Sequence, residues 1–120
     1  MSDLETFRQE VTQACEALPG AARAFEAEGE IPSWKVGGKM FACIGHLFES
    51  VSVKCHDTET AAMLIEAGVA HKAKYFHRSW VSLRPGIEGS ALRHRIGLSY
   101  DIIRASLSKK FQASLALREV

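Results

Sequence analysis

The chain has 120 residues, of which 47% are hydrophobic, 24% charged and 8% aromatic, and its formal net charge is +1. This is enough apolar material for one domain with its own core, so collagen-like and disordered chains are excluded. No apolar run approaches the roughly 20 residues of a membrane-spanning helix, and the N-terminus lacks the secretory pattern. We therefore expect a cytoplasmic protein, residues 1–120, with one domain and no membrane contact.

The first half of the chain predicts one helix and then a sheet. A capping box, Ser2 with Glu5, opens an amphipathic helix that Pro19-Gly20 ends. Period-two alternation then predicts strands over residues 22–27, 31–36, 39–44 and 49–55, with Gly37-Gly38 as a hairpin turn. In the fourth strand Ser52 and Lys54 alternate with apolar residues, so one face of the sheet is expected to be open to water.

The second half predicts two more helices around one more strand. Asp57 is placed to cap a short helix that Gly68 ends, whereas residues 69–76 show no clear pattern. Residues 79–84 alternate as the last strand, and a final helix starts near Gly89 or Ser90 and is expected to end at Lys109-Lys110. The order predicts an α+β fold, an antiparallel sheet of about five strands with the N-terminal and C-terminal helices on one face.

No pattern in the chain predicts catalysis, a cofactor or a bound metal. The three cysteines, Cys15, Cys43 and Cys55, form no Cys-x-x-Cys pair, so we interpret them as reduced and mostly buried. Cys43, His46, Cys55 and His56 are the candidate metal ligands, but consecutive residues of a strand point to opposite faces. A nucleophile elbow and the Walker spacing are both absent, and the acidic residues suggest no paired carboxylates, so we expect no enzyme.

Charge is distributed unevenly along the chain. Residues 1–30 hold two basic and seven acidic residues, whereas residues 69–110 hold nine basic and two acidic ones. Cations interleaved with aromatic rings can neutralise phosphates and stack on bases, although a sheet also uses such residues for packing. The candidate binding residues are Lys35, Lys39, Lys54, Lys72, Lys74, His77, Arg78, Trp80 and Arg84.

Several segments resemble the MmcQ/YjbR family, in order and over nearly the whole chain. They are Leu18-Pro19-Gly20, Trp34-Lys35-Val36-Gly37-Gly38-Lys39-Met40-Phe41-Ala42, Val51-Ser52-Val53-Lys54-Cys55, Tyr75-Phe76-His77-Arg78-Ser79-Trp80-Val81, and Ser99-Tyr100 with Leu107-Ser108-Lys109-Lys110. The resemblance implies a fold similar to the CyaY/frataxin fold and DNA binding through a double-wing arrangement of the sheet. Where the motifs match, the resemblance implies that the DNA-binding residues are Lys35, Lys39, Lys54, His77, Arg78 and Trp80.

Two other hypotheses remain open. The final helix is apolar over a wide arc, so Leu98 and Ile102 could pack against a protein partner or a second copy of the chain. Iron-binding relatives of the frataxin-like fold use acidic residues on the first helix. In this chain Asp3, Glu5, Glu10 and Glu16 are present there, but they point in several directions. DNA binding without catalysis is the leading prediction.

Overall fold

A computed structural model describes residues 3–24, 32–45 and 49–117. The elements in chain order are α1 (Asp3–Glu16), β1 (Ala22–Ala24), β2 (Ser33–Val36), β3 (Lys39–Ile44), β4 (Val51–Lys54), α2 (Thr58–Glu66), β5 (His71–Lys72), β6 (Trp80–Leu83), α3 (Gly89–Ala105) and α4 (Lys109–Ala113). Ser2 of the capping box, residues 25–27 and 31 of the predicted strands, and His46 lie outside the described residues.

The strands pair antiparallel in one sheet, in the order β1-β2-β3-β4-β6-β5. The α+β class is therefore confirmed, and the described residues contribute six strands where the sequence predicts about five. The additional strand is β5, which pairs with the outer side of β6. It comes from the segment without a clear pattern, because two residues are too few to show an alternation.

One face of the sheet is covered by α1 and α3, which pack against each other. Both predicted terminal helices thus lie on this face, where the core is a single cluster. Its largest fully buried side chains are Trp34, Tyr100, Phe41, Leu83, Leu92 and Ile96. Phe41 and Tyr100 meet edge to face, with ring centroids 5.4 Å apart. We call the opposite side of the sheet the far face.

A β-bulge in β3 breaks the predicted alternation. Trp34 pairs with Ala42, but the next residue, Lys35, pairs with Met40, so Phe41 is an extra residue on β3. A bulge turns two consecutive side chains toward the same side of the strand. Phe41 and Ala42 are accordingly both fully buried, whereas strict alternation would place one of them on the far face.

Ser99 of α3 satisfies the backbone groups that the bulge leaves without a partner in the sheet. Pairing between β3 and β4 stops at Ala42 and Val53. Beyond that point the Ser99 hydroxyl donates to the Phe41 carbonyl oxygen at 2.6 Å and accepts from the Lys54 amide at 2.9 Å. Ser99 is fully buried, so this side chain joins the helix to two strands inside the core.

Both ends of α2 are fixed by local hydrogen bonds, as the sequence predicts. The Asp57 carboxylate accepts from the Thr60 amide at 2.7 Å, and these hydrogen bonds lower the pKa of Asp57. At the other end Gly68 has a φ of 76° and donates to Ile65, while the Val69 amide donates to the Leu64 carbonyl oxygen. This is the Schellman arrangement, for which glycine at the left-handed position is favoured.

The final helix ends earlier than predicted. α3 stops at Ala105, and Lys109 and Lys110 lie in the first turn of the short helix α4. The predicted end is wrong because Ser108 starts a new helix: its hydroxyl accepts from the Phe111 amide at 3.1 Å. Arg104 then holds α4 against α3 by donating to the carbonyl oxygens of Gln112 and Ala116. Among the described residues, no helix has the length and apolar character needed to cross a bilayer.

Replacing Gly37 and Gly38 separately by alanine is expected to give unequal losses of stability. Both glycines have positive φ, 58° and 79°, so alanine at either position costs about 1–2 kcal/mol. A Cβ at Gly37 would also lie 2.7 Å from a methyl group of Leu107, whereas one at Gly38 meets nothing within 4 Å. In urea unfolding, Gly37→Ala should lose about 1 kcal/mol more than Gly38→Ala. Equal losses would show that Leu107 does not restrict the turn.

Removing the Ser99 hydroxyl is expected to destabilise the fold strongly. Ser99→Ala leaves the Phe41 carbonyl and the Lys54 amide unpaired in the core, at about 1–3 kcal/mol for each group. We expect the free energy of unfolding, measured in urea, to fall by about 2–6 kcal/mol. The control is Ser90→Ala, at an exposed serine of the same helix whose hydroxyl donates to the Glu88 carboxylate at the surface, with an expected loss of at most about 1 kcal/mol. A similar loss in both variants would contradict the bridging role of Ser99.

Candidate functional site

The segment from Val69 to Arg84 concentrates positive charge on the surface. It contains four Lys or Arg residues and no Asp or Glu. All four, Lys72, Lys74, Arg78 and Arg84, are exposed. Within the described part of the chain, no hydrogen bond or ion pair holds the side chain of Lys72, Arg78 or Arg84. These cationic groups are therefore available to an anionic ligand.

The turn between β5 and β6 presents a tyrosine to solvent. The Phe76 amide donates to the Ala73 carbonyl oxygen, and Tyr75 inside this turn has a φ of 73°. Tyr75 is the one non-glycine residue with positive φ among residues 3–24, 32–45 and 49–117, and its side chain is 90% exposed. The Lys74 ammonium lies 5.8 Å from the centre of the Tyr75 ring. A left-handed aromatic residue is strained, and such strain is frequent at binding sites.

Two aromatic rings behind this turn form one wall of a cleft. Phe76 and Trp80 are stacked, with centroids 4.8 Å apart and ring planes 29° from parallel. α2 forms the opposite wall, and the space between them is about 450 Å³. We call this space the α2–Trp80 cleft. It is lined by Thr58, Glu59, Ala62, Ile65, Lys72, Ala73, Phe76, His77, Arg78 and Trp80.

A second, wider cleft of about 950 Å³ lies on the other side of the turn. Its lining includes Cys43, Ser52 and Ser82, which are cross-strand neighbours on the far face. Lys72, Lys74, Tyr75, Phe76 and Arg84 are among the other residues that line it, and so are two acidic residues, Asp3 and Glu49. We call it the far-face cleft. Lys72, Ala73 and Phe76 line both clefts, so this turn is the ridge between them.

The far face is not open to water along its whole length, contrary to the sequence-based expectation. Ser52 and Ser82 are directly paired, and they are only 6% and 7% exposed. Ala73 and Phe76 line the same cleft, so the turn after β5 lies beside these serines. The prediction of a solvent-exposed face is wrong at these two serines. The alternation in a strand shows which side of the sheet a residue faces, but it does not show whether a later loop covers that side.

Lys54 belongs to a hydrogen-bond network that fixes the start of β6. Its ammonium donates to the Ser79 hydroxyl at 2.8 Å, and that oxygen lies 2.9 Å from Nδ1 of His77. The Ser79 amide also donates to Nδ1 at 3.1 Å, so this nitrogen acts as an acceptor. A neutral His77 therefore carries its proton on Nε2. Ser79 is buried, so the network positions Lys54 and His77 beside the α2–Trp80 cleft.

The structure separates the two lysines predicted on the hairpin. Lys35 lies between the buried residues Trp34 and Val36, so it points to the far face, the side on which Lys54 and Trp80 are cross-strand neighbours. Lys39 pairs with Val36 on the helix side, and its ammonium donates to the Ser106 hydroxyl at the end of α3. Of the nine candidate binding residues, Lys72, Lys74, His77, Arg78, Trp80 and Arg84 line the two clefts, whereas Lys39 lies on the other side of the sheet.

The aromatic residues of the sequence divide between core and surface. Trp34 is fully buried, and its indole N–H donates to the Glu16 carboxylate at 3.2 Å. Core packing, the role expected for a single aromatic residue of a sheet, is therefore confirmed for Trp34. Trp80 is only half-buried and lines the α2–Trp80 cleft. The two tryptophans thus have different environments.

Tyr75, Phe76 and the lining residues of α2 were not among the predicted site residues. The sequence places Tyr75 and Phe76 directly after Lys74, which is a detectable signal. Nothing in the sequence indicates that Phe76 stacks on Trp80, because residues four apart meet regularly only in a helix. Ala62 and Ile65 look like ordinary residues of an amphipathic helix, and only the packing of α2 beside β6 turns them toward a cleft.

In the described chain the three thiols are protonated, and two acidic residues of α1 lie apart from each other. Burial raises the pKa of Cys15, Cys43 and Cys55, so all three remain protonated thiols near neutral pH. No group of three or more His, Cys, Asp or Glu residues that could hold a metal occurs among residues 3–24, 32–45 and 49–117. On α1, Glu16 binds Trp34, whereas Asp3 lines the far-face cleft, so these two acids are separated.

Leu98 and Ile102 are both half-buried on α3. Neither belongs to the side chains packed against the core, which do include the neighbouring Ile103. The larger apolar side chains that α2 and its C-terminal turn leave exposed are Met63, Ile65 and Val69.

Comparison with known proteins agrees with this fold. The crystal structure of Deinococcus radiodurans protein DR2400, which carries the domain DUF419, superimposes with a TM-score of 0.76 at 19% sequence identity. The match covers 88% of this chain and 85% of that chain, and at this identity it bears on the fold alone. No curated protein matches the chain. The YjbR family model matches residues 16–102, from the last residue of α1 to Ile102 in α3. The protein belongs to the YjbR family.

Proposed function

We propose that this protein binds DNA without catalysis, through phosphate contacts made by the basic residues around the two clefts. The observation that carries the proposal is the segment from Val69 to Arg84, with four exposed cations and no acidic residue. Phosphate contacts supply most of the affinity of such binding and favour no particular sequence. The exposed ring of Tyr75 beside Lys74 adds a surface on which a base or sugar can pack.

The family resemblance implies that the bound polymer is DNA. Our proposal also includes the two other implications of the resemblance, a double-wing arrangement of the sheet and a fold similar to the frataxin fold. Lys35 and Lys54 extend the basic surface across the far face of the sheet. Lys39 is not part of it, because its ammonium is bonded to α3 on the other side. We place this function in the cytoplasm, where three free thiols stay reduced.

The proposal predicts that reversing two charges at the clefts weakens DNA binding. Lys72 and Arg78 are exposed and their side chains are unpaired among the described residues, so Lys72→Glu with Arg78→Glu should leave the fold intact. Affinity for a labelled duplex, measured by fluorescence anisotropy at about 50 mM salt, should fall at least about tenfold. The slope of log affinity against log salt should become shallower by about 0.9 for each phosphate that is no longer neutralised. Lys54 is less suitable for this test, because its ammonium holds Ser79.

The matched control is Lys109→Glu with Lys110→Glu. Both lysines are exposed on α4, outside the linings of the two clefts, and the control changes the net charge by the same amount. It should retain most of the affinity of the wild type. An equal loss of affinity in both double variants would show that the DNA is attracted by the net charge of the protein and not by the residues around the clefts. Absence of binding by the wild type at low salt would contradict the proposed function and favour a protein partner.

A further inference from the structure

We propose that the α2–Trp80 cleft holds one unstacked base of single-stranded DNA, and that the protein therefore prefers a single strand to a duplex. This inference rests on the proposed function, and it states which part of the DNA one of the two clefts binds. It depends on the size of the cleft, the character of its walls and the position of the charges around it.

The cleft has the dimensions of a small-molecule site. Its volume of about 450 Å³ lies within the range of roughly 300–1,000 Å³ that is usual for ligand pockets. A single nucleoside fits such a space, whereas the bases of an intact duplex remain stacked inside the helix and cannot enter it. Recognition of unstacked bases by recessed aromatic sites is the usual mode for single strands.

The walls of the cleft suit the flat face of a base. Phe76 and Trp80 stack on each other, so the pair offers a base one of its outer ring faces, and Ala62 and Ile65 line the wall formed by α2. Trp80 is half-buried, so part of its indole remains accessible. Stacking on an aromatic side chain does not depend on base identity, because every base has a π face. Thr58 and Glu59 also line the cleft, and their side chains carry polar groups of the kind that bond the edge of a base.

The charges around the cleft suit the phosphates on either side of that base. Lys72 and Arg78 line the cleft, and neither side chain has a hydrogen bond or ion pair in the described parts of the chain. Lys72 also lines the far-face cleft, whose lining includes Lys74, Tyr75 and Arg84 as well as the acidic residues Asp3 and Glu49, so the cations there outnumber the acids. A strand leaving the α2–Trp80 cleft over the ridge would therefore continue past further cations and a second exposed ring.

The test fills the cleft without changing any charge. Ala62 is an exposed alanine of α2 that lines the cleft, so Ala62→Leu narrows the space at little cost to the helix. Ala67→Leu is the matched control, since Ala67 is exposed at the end of the same helix and lies outside both linings. Affinities are measured by anisotropy for a labelled oligodeoxynucleotide and for the corresponding blunt duplex, at equal salt. Thermal unfolding of each variant confirms that it is folded.

We expect the wild type to bind the single strand more tightly than the duplex. Ala62→Leu should lower the single-strand affinity by roughly 5- to 150-fold, the size of the stacking interaction of one base, and leave the duplex affinity unchanged. Ala67→Leu should change neither. Phe76→Leu, which keeps an apolar side chain but removes the ring, should reproduce the loss of affinity seen with Ala62→Leu.

Tryptophan fluorescence gives an independent readout. Trp34 is fully buried, so quenching on addition of the single strand is expected to come from Trp80. Trp80→Phe should abolish most of the quenching while the anisotropy still reports binding. Quenching that persists in Trp80→Phe would contradict the assignment of the base to this cleft.

The outcomes separate this inference from the proposed function. The base-binding cleft would be overturned if the protein preferred the duplex, or if Ala62→Leu left the single-strand affinity unchanged. The proposed function would still stand in either case, provided that DNA binding weakened with salt. Absence of binding to either form at low salt would overturn both. Equal weakening of both forms by Ala62→Leu would also contradict the inference, because a duplex has no unstacked base to place in the cleft.

Discussion

The hydroxyl of Ser99 takes the place of a missing backbone pair between β3 and β4. The bulge turns Phe41 and Ala42 together into the core. As a result, the Phe41 carbonyl and the Lys54 amide do not pair with each other across the two strands. Ser99 bonds both of them from α3. A buried carbonyl or amide without a partner is costly, so the helix, the bulge and the end of β4 are held in one arrangement.

The position of β4 in turn sets the geometry of the candidate site. The Cys55 amide donates to the Ser79 carbonyl oxygen, and the Lys54 ammonium donates to the Ser79 hydroxyl. Ser79 then fixes His77 and the start of β6, where Trp80 lies opposite Lys54. The aromatic wall of the α2–Trp80 cleft is therefore connected to the core through a buried serine at each step. This support keeps the wall in place while the exposed cations stay free to contact a ligand.

Most of the elements could be predicted, because their signals are local. The Gly37-Gly38 turn, the Asp57 cap and the Gly68 stop each depend on backbone conformations that few residues adopt, and all three occur as expected. The end of α3 could not be read from charge, since Lys109 and Lys110 suit a helix C-terminus but the stronger cap, Ser108, starts a new helix. The strand β5 was missed because a two-residue strand is defined by its partner and has no pattern of its own.

The candidate site also has one part that could be predicted from the sequence and one part that could not. The basic segment and its aromatic residues are visible in the sequence, because charge and ring chemistry belong to the residues themselves. Which of them lie together depended on the tertiary structure: pairing across the sheet put Lys54 beside Trp80, and the hairpin register turned Lys39 toward α3. The clefts arise only when α2 and the turn after β5 lie beside β6. These contacts join residues that are distant in the chain, and no local pattern contains them.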